Sequence, residues 1–317
     1  MVVGVGSIRH VIQGSLVLLA ITVNTIALSV AIFVLAVFKL LLPGGRVRNA
    51  LTHFLSSLGE LWIAVNKWVL GVYRGMQWAI ELPSGLDRQG RYLVFCNHQS
   101  WVDILVLQFC LNRKAPFKRF LLKQELIWVP FLGLAWWGLD MAFLRRYSRE
   151  ALIRNPSLRG KDLENAARAC EKLKHIPVSM MAFPEGTRFT PEKHRQQKSP
   201  YRHLLRPRYG GIGQVLYSFG DAMQELIDVT IFYPEGVPTF WQFISGQVGE
   251  IRVSARLRRI DPAVLGADFR SDSNAKYRLR CWMEEIWRQK DDELESAIRG
   301  QERGPENKTG GPKTACP

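Results

Sequence analysis

The clearest pattern along the chain is an omission: residues 10–38 contain no Lys, Arg, Asp or Glu. A helix over that stretch would reach roughly 43 Å at 1.5 Å per residue, more than the ~30 Å of a hydrocarbon core. The stretch therefore predicts a membrane-embedded segment, and its length far exceeds the ~7–15 apolar residues of a cleaved signal. Thr22, Asn24 and Thr25 near its middle leave a re-entrant helical hairpin open as an alternative to one helix. Next, Leu51, Phe54, Leu55, Leu58, Trp62, Val65, Val69 and Val72 recur at intervals of mostly three and four, which predicts an amphipathic helix over 51–80. Such a helix packs on a core or lies at an interface, and Pro83 closes it.

From there short apolar runs alternate with helical spacing. Strands are expected at 91–96, 118–122, 141–144, 178–183, 229–233 and 250–258, and helices at 104–111, 161–174, 213–226 and 277–298. The expected fold class is α/β, a mixed sheet flanked by helices, with an N-terminal membrane-embedded helix or helical hairpin. The domain organisation follows as a membrane segment at 1–45, an amphipathic linker helix at 46–84, a catalytic domain at 85–300 and a disordered tail at 301–317, rich in Gly, Pro, Lys and Glu.

Charge narrows the partners. A formal net charge of +15 calls for an anionic one: a bilayer surface, a phosphorylated substrate or a nucleic acid. Only Arg9 precedes the apolar segment, whereas Lys39, Arg46 and Arg48 follow it closely. The positive-inside rule then places the following domain in the cytoplasm, at the inner membrane if the cell is bacterial. The five cysteines form no CxxC pair and fit a reduced compartment. No HExxH metal motif and no GxSxG nucleophile elbow occurs, so neither a metal site nor an α/β-hydrolase is expected.

Candidate chemistry begins where the 91–96 strand runs into Asn97-His98-Gln99-Ser100-Trp101-Val102-Asp103. A histidine at a strand end and a carboxylate five positions on can meet across a strand-to-helix turn, with Asp103 holding one imidazole nitrogen and leaving the other as a base. The same spacing also suits a buried structural histidine beside a helix-initiating aspartate. Three further strand ends carry polar chemistry. Phe183-Pro184-Glu185-Gly186-Thr187-Arg188 offers a glycine for close backbone approach, a guanidinium fork for phosphate, and a carboxylate that could orient the arginine or a substrate hydroxyl. Phe143-Leu144 ends in Arg145 and Arg146, and the strand at 229–233 ends at Pro234.

These four segments, in this order, resemble the PlsC-type glycerolipid acyltransferase family, which includes lysophosphatidic acid acyltransferases. The resemblance covers residues 85–235 and extends to Lys118–Leu126 with Pro130 and Gly133, and to Arg208-Tyr209-Gly210. It implies His98 and Asp103 as the catalytic pair, and Arg145, Arg146, Glu185, Gly186, Thr187 and Arg188 as substrate-binding residues. By spacing Arg146 matches the family's phosphate-contacting arginine, with Arg145 in support. One departure bears on that assignment: where family members commonly carry glycine, three residues before Phe143, this chain has Asp140.

The function implied is transfer of a fatty acyl group from acyl-CoA or acyl-carrier protein, as cosubstrate, to the free hydroxyl of a lysophospholipid. The acceptor implied is 1-acyl-glycerol-3-phosphate, giving phosphatidic acid. Remodelling of another lysophospholipid, or a catalytically silent lipid-binding protein, are the alternatives. No bound cofactor, metal or nucleic acid is expected; the bilayer is a partner. A nucleic-acid-binding membrane protein would use the basic surface but leave the His/Asp and Glu-Gly-Thr-Arg residues without a role.

Overall fold

The computed structural model of the chain describes residues 5–71, 75–144, 154–155, 167, 170–171, 173–269 and 271–302. The uncharged stretch forms one unbroken helix, α1 (Val5–Leu41), so the hairpin alternative is not what forms. Its mid-helix polar residue is satisfied across a helix interface: Asn24 Nδ2 donates to Asn66 Oδ1 at 2.8 Å and to the Trp62 carbonyl at 3.2 Å. Both partners lie on α2 (Arg46–Gly71).

Contacts continue along α1 from His10 to Lys39. His10 Nδ1 lies 2.9 Å from the Ser245 carbonyl. A Cβ on Gly14 would stand 2.9 Å from the Trp241 ring, and one on Gly138 would stand 2.9 Å and 3.0 Å from Ile32 and Ala36. At its end, Lys39 Nζ reaches Asp140 Oδ2 at 2.6 Å. The other face exposes Leu16, Leu19, Val23, Val34 and Phe38. Among the described residues α1 is the one helix long and apolar enough to cross a membrane.

The helix expected over 51–80 ends at Gly71, and Gln77–Glu81 is instead a strand, β1. Four of its five residues are exposed, because it is an edge strand. Period-2 burial, the usual signature of a strand, is therefore missing. The remaining strands are β2 (Arg91–Cys96), β3 (Lys118–Lys123), β4 (Ala142–Leu144), β5 (Val178–Ala182), β6 (Glu225–Phe232) and β7 (Glu250–Arg259). They form one mixed sheet in the order β1-β7-β6-β2-β5-β3-β4, in which only the β6–β7 pairing is antiparallel.

Around the sheet lie α3 (Val102–Leu111), α4 (Leu132–Gly138), α5 (Pro191–Gln197), α6 (Gly210–Phe219), α7 (Phe240–Ile244) and α8 (Ser273–Glu302), with a 3-10 helix at Gln124–Trp128. The helix expected over 213–226 stops at Phe219, where Gly220 takes φ 50°, and β6 has begun by Leu226. The pattern at 161–174 falls largely outside the described residues. α8 runs through Gln301 and Glu302, the first residues of the expected tail, and 303–317 lie outside the described residues.

Alternation in β2 sorts the core into two layers. Tyr92, Val94 and Cys96 face α1, α2 and α3, while Leu93 and Phe95 face α6 and α8. Each fully buried large apolar side chain contributes about 1.5–3 kcal/mol relative to exposure, so both sheet faces are anchored independently of the loops. One core contact reaches a loop directly: buried Trp287 of α8 donates its indole N–H to the Leu205 carbonyl at 3.1 Å.

Candidate active site

The parallel strands β2, β5 and β6 present their carboxyl ends on one edge, where open α/β sheets place ligands. The turn from β2 into α3 is built around one aspartate. Asp103 Oδ2 accepts from Gln99 N at 2.6 Å, Ser100 N at 2.7 Å and His98 Nδ1 at 3.0 Å. Its other oxygen, Oδ1, accepts the Tyr233 hydroxyl at 2.6 Å. Asp103 is wholly buried, and four donors replace the water it has lost.

Those bonds fix the imidazole. With Nδ1–H committed to the carboxylate, Nε2 carries the lone pair, and among the described residues it has no hydrogen-bond partner. The ring stacks on Phe183 at a centroid distance of 4.1 Å and an angle of 21°, which resists a flip. Its side chain is 12% exposed, enough for a substrate atom to reach the free nitrogen. Asn97 fastens the turn to β6, exchanging side-chain hydrogen bonds of 2.9 Å with both the N–H and the carbonyl of Ile231.

The sequence reading missed three supporting residues: Tyr233, Phe183 and Asn97. Tyr233 sat in a recognised strand-end segment, yet a tyrosine before proline carries no signal of a partner 130 positions away. Burial, reinforced by the Asp103 carboxylate, pushes its phenol well above the usual range, so it stays protonated and donates.

Glu185 differs most from expectation. It neither orients Arg188 nor faces outward: it is buried, with Oε1 accepting from His98 N at 2.7 Å and Oε2 from Leu205 N at 2.9 Å. The carboxylate thus ties the histidine turn to the 205 loop. Desolvation drives its pKa up from 4.5 to about 8, against the opposing pull of the two N–H donors. A raised carboxyl adds stability that is full below its unfolded value and is lost as pH rises through the folded value. Glu185→Gln is therefore expected to cost about 1–3 kcal/mol, because its amide sets a donor against one of the two N–H groups. The gap in melting temperature between wild type and this variant should narrow as pH rises from 5 to 8. A gap that widens would contradict the assignment.

Next in the loop, Gly186 takes φ 67°, Thr187 Oγ1 accepts Lys193 Nζ at 2.8 Å, and the Arg188 guanidinium lies 4.8 Å from the centre of the Trp101 ring. Cross-bonds from Phe189 N to the His98 carbonyl and from Arg208 N to the Pro184 carbonyl, both 2.7 Å, join the loops at 98, 184–189 and 208. Arg145 and Arg146 lie outside the described residues. Just before β4, Asp140 takes φ 56°, the left-handed region where glycine is unstrained, and its carboxylate holds Lys39. No group of three or more His, Cys, Asp or Glu among the described residues could hold a metal ion.

Residues 79–236 match the family model described as Acyltransferase. Among curated relatives, lysocardiolipin acyltransferase 1 of Danio rerio is 24% identical over 270 residues, covering 81% of this chain and 64% of the relative. The 1-acyl-sn-glycerol-3-phosphate acyltransferase 3 of Arabidopsis thaliana is 27% identical over 183 residues, 53% of this chain and 46% of the relative. The chain thus spans less than two thirds of either relative's length. The crystal structure of the 1-acyl-sn-glycerophosphate acyltransferase PlsC from Thermotoga maritima shares the fold, with a TM-score of 0.57 at 18% identity over 92% of this chain and 98% of that one.

Proposed function

Given that this chain belongs to the acyltransferase family, we propose that it moves a fatty acyl group from a thioester donor to the free hydroxyl of a lysophospholipid, with 1-acyl-glycerol-3-phosphate as the acceptor and phosphatidic acid as the product. The observation that carries this reading is the His98–Asp103 pair, buried on one side and open at Nε2. Nε2 takes the proton of the acceptor hydroxyl as its oxygen attacks the thioester carbonyl carbon. The tetrahedral intermediate then collapses, the C–S bond breaks, and the departing sulfur takes the proton back from the imidazolium. Asp103 balances the imidazolium charge. Acyl-CoA or acyl-carrier protein supplies the activated carbon, so no enzyme nucleophile is required. Arg188, with Arg145 and Arg146 of the second motif, binds the acceptor phosphate, while Glu185, Gly186 and Thr187 shape the loop that presents it.

Tyr233 is a positioning residue in this scheme. Tyr233→Phe removes one donor to a charged carboxylate, a contribution of about 1.5–3 kcal/mol, so kcat should fall roughly 10- to 100-fold with little change in acceptor KM. Steady-state kinetics on the folded variant checks this; a change confined to KM contradicts it.

The domain sits on the cytoplasmic face of its membrane, held by α1. Because α1 packs on α2, α4 and α7, its outer apolar face is the one left to meet the bilayer. An acceptor panel of lysophosphatidic acid, lysophosphatidylinositol and lysocardiolipin, with lipid mass spectrometry of the products, tests the substrate assignment. Preference for lysophosphatidic acid supports it. Preference for lysocardiolipin, the acceptor in a relative's name, replaces it with lipid remodelling.

A further inference from the structure

Three cations lie between β5 and α6, Arg188 before α5, Lys193 on it and Arg208 after it, and none of them pairs with a carboxylate among the described residues. Arg188 rests on the Trp101 ring, and Lys193 Nζ is held by Thr187 Oγ1 and, at 3.0 Å, by the Arg188 carbonyl. Arg208 lies across Gly186: a Cβ on that glycine would stand 2.8 Å from Arg208 Cδ and 3.2 Å from its Nε. Other arginines of the chain do pair with acids: Arg202 with Asp291, Arg252 with Glu250 and Arg299 with Glu295. Here the nearest acid in sequence, Glu185, has both oxygens spent on backbone N–H groups, and Glu192 pairs with Arg195. Among the described residues neither the Arg188 nor the Arg208 guanidinium has an acidic partner.

We infer that Arg208 is a second phosphate-binding arginine, gripping the same anion as Arg188 from the other side of Gly186; this rests on the acyl-transfer reading for the identity of the anion. Three features support it. First, the Arg208 backbone is pinned by its N–H to the Pro184 carbonyl at 2.7 Å, so the side chain leaves from a fixed point. Second, Gly186 at φ 67° has no Cβ, and the space this leaves is filled by the Arg208 stem. The glycine therefore serves the arginine, where the sequence suggested close approach of backbone to ligand. Third, Glu185 bonds both the 98 turn and the 205 loop, so the segment that carries Arg208 moves with His98. Two guanidinium forks suit a phosphate dianion, whose three terminal oxygens outnumber what one fork can bind. That chemistry exists both in the headgroup of 1-acyl-glycerol-3-phosphate and in the phosphates of acyl-CoA. The place of the Arg208 side chain over Gly186, two residues before Arg188, assigns it to the acceptor.

Arg208→Met keeps an unbranched stem over Gly186 and removes the charge. The expected result is a rise of about 10- to 100-fold in KM for lysophosphatidic acid, as for loss of a charge-assisted hydrogen bond, with partial recovery in Arg208→Lys. KM for the donor should not move, whether that donor is acyl-CoA or an acyl-pantetheine lacking the nucleotide. The control is Arg206→Met, since Arg206 already bonds the Lys198 carbonyl at 2.8 Å and should leave both KM values unchanged. An unchanged acceptor KM in Arg208→Met overturns the inference. So does a rise in donor KM seen with acyl-CoA but not with acyl-pantetheine, which would give the anion to the donor. Calorimetry with glycerol 3-phosphate separates this inference from the functional reading. If wild type binds it and Arg208→Met does not, the anion site stands even if no lysophospholipid is acylated; equal binding by both overturns it.

Discussion

His98→Ala is expected to lower kcat for acyl transfer roughly 10²- to 10⁴-fold, the usual worth of a positioned general base. Among the described residues of the site, the ring is the one group with a nitrogen free of hydrogen bonds while its other nitrogen is held by a buried carboxylate. Its loss leaves Asp103 with its bonds from Gln99, Ser100 and Tyr233, so the turn should keep its shape. The cost is chemical first and structural second: removing the stack on Phe183 opens a small gap at a partly exposed position. Membrane attachment should persist, since α1 is remote in sequence and makes no described contact with His98. Turnover, thermal melting and vesicle flotation on one preparation test all three parts. Wild-type turnover by a folded variant would remove the base from the mechanism.

Asp103→Asn should be nearly as damaging, roughly 10²- to 10⁴-fold in kcat, for a reason that the four hydrogen bonds make specific. Three donors converge on Oδ2, so an amide nitrogen cannot occupy that position. It must take the place of Oδ1, where the Tyr233 hydroxyl can turn to accept from it. The turn then survives, His98 keeps its tautomer, and what is lost is the negative charge opposite the imidazolium. Asp103→Asn should therefore melt close to wild type, bind acceptor with little change in KM, and fail in kcat. A defect confined to acceptor KM would move Asp103 out of the base and into the binding site.

Much of this site was legible because its residues lie next to strand ends. β2 and β5 are apolar runs with abrupt polar ends, and the side chains that follow them must emerge at the sheet edge. What the sequence left unread depends on contacts distant along the chain. Glu185 reads as a partner for nearby Arg188 until the 205 loop, held by Trp287 of α8, supplies the N–H that takes its second oxygen. Asn24 reads as a helix break until Asn66 of α2 meets it. β1 follows a helix of similar apolar content and lies exposed at the sheet edge, so neither periodicity nor burial marks it. Asp140 reads as a departure at a glycine position; its φ of 56° accounts for the glycine, and its bond to Lys39 gives the aspartate a structural partner on α1.

The central claim is that the acyl group passes to a lipid hydroxyl and not to water. The most direct measurement is a single turnover with a donor labelled in its acyl chain and excess lysophosphatidic acid in vesicles, following labelled lipid, free fatty acid and free thiol together. The account predicts that labelled phosphatidic acid and thiol appear at the same rate and in equal amounts, with no burst of acyl-enzyme, and that both slow roughly 10²- to 10⁴-fold in His98→Ala. Label recovered as free fatty acid, at a rate indifferent to the acceptor, would contradict it.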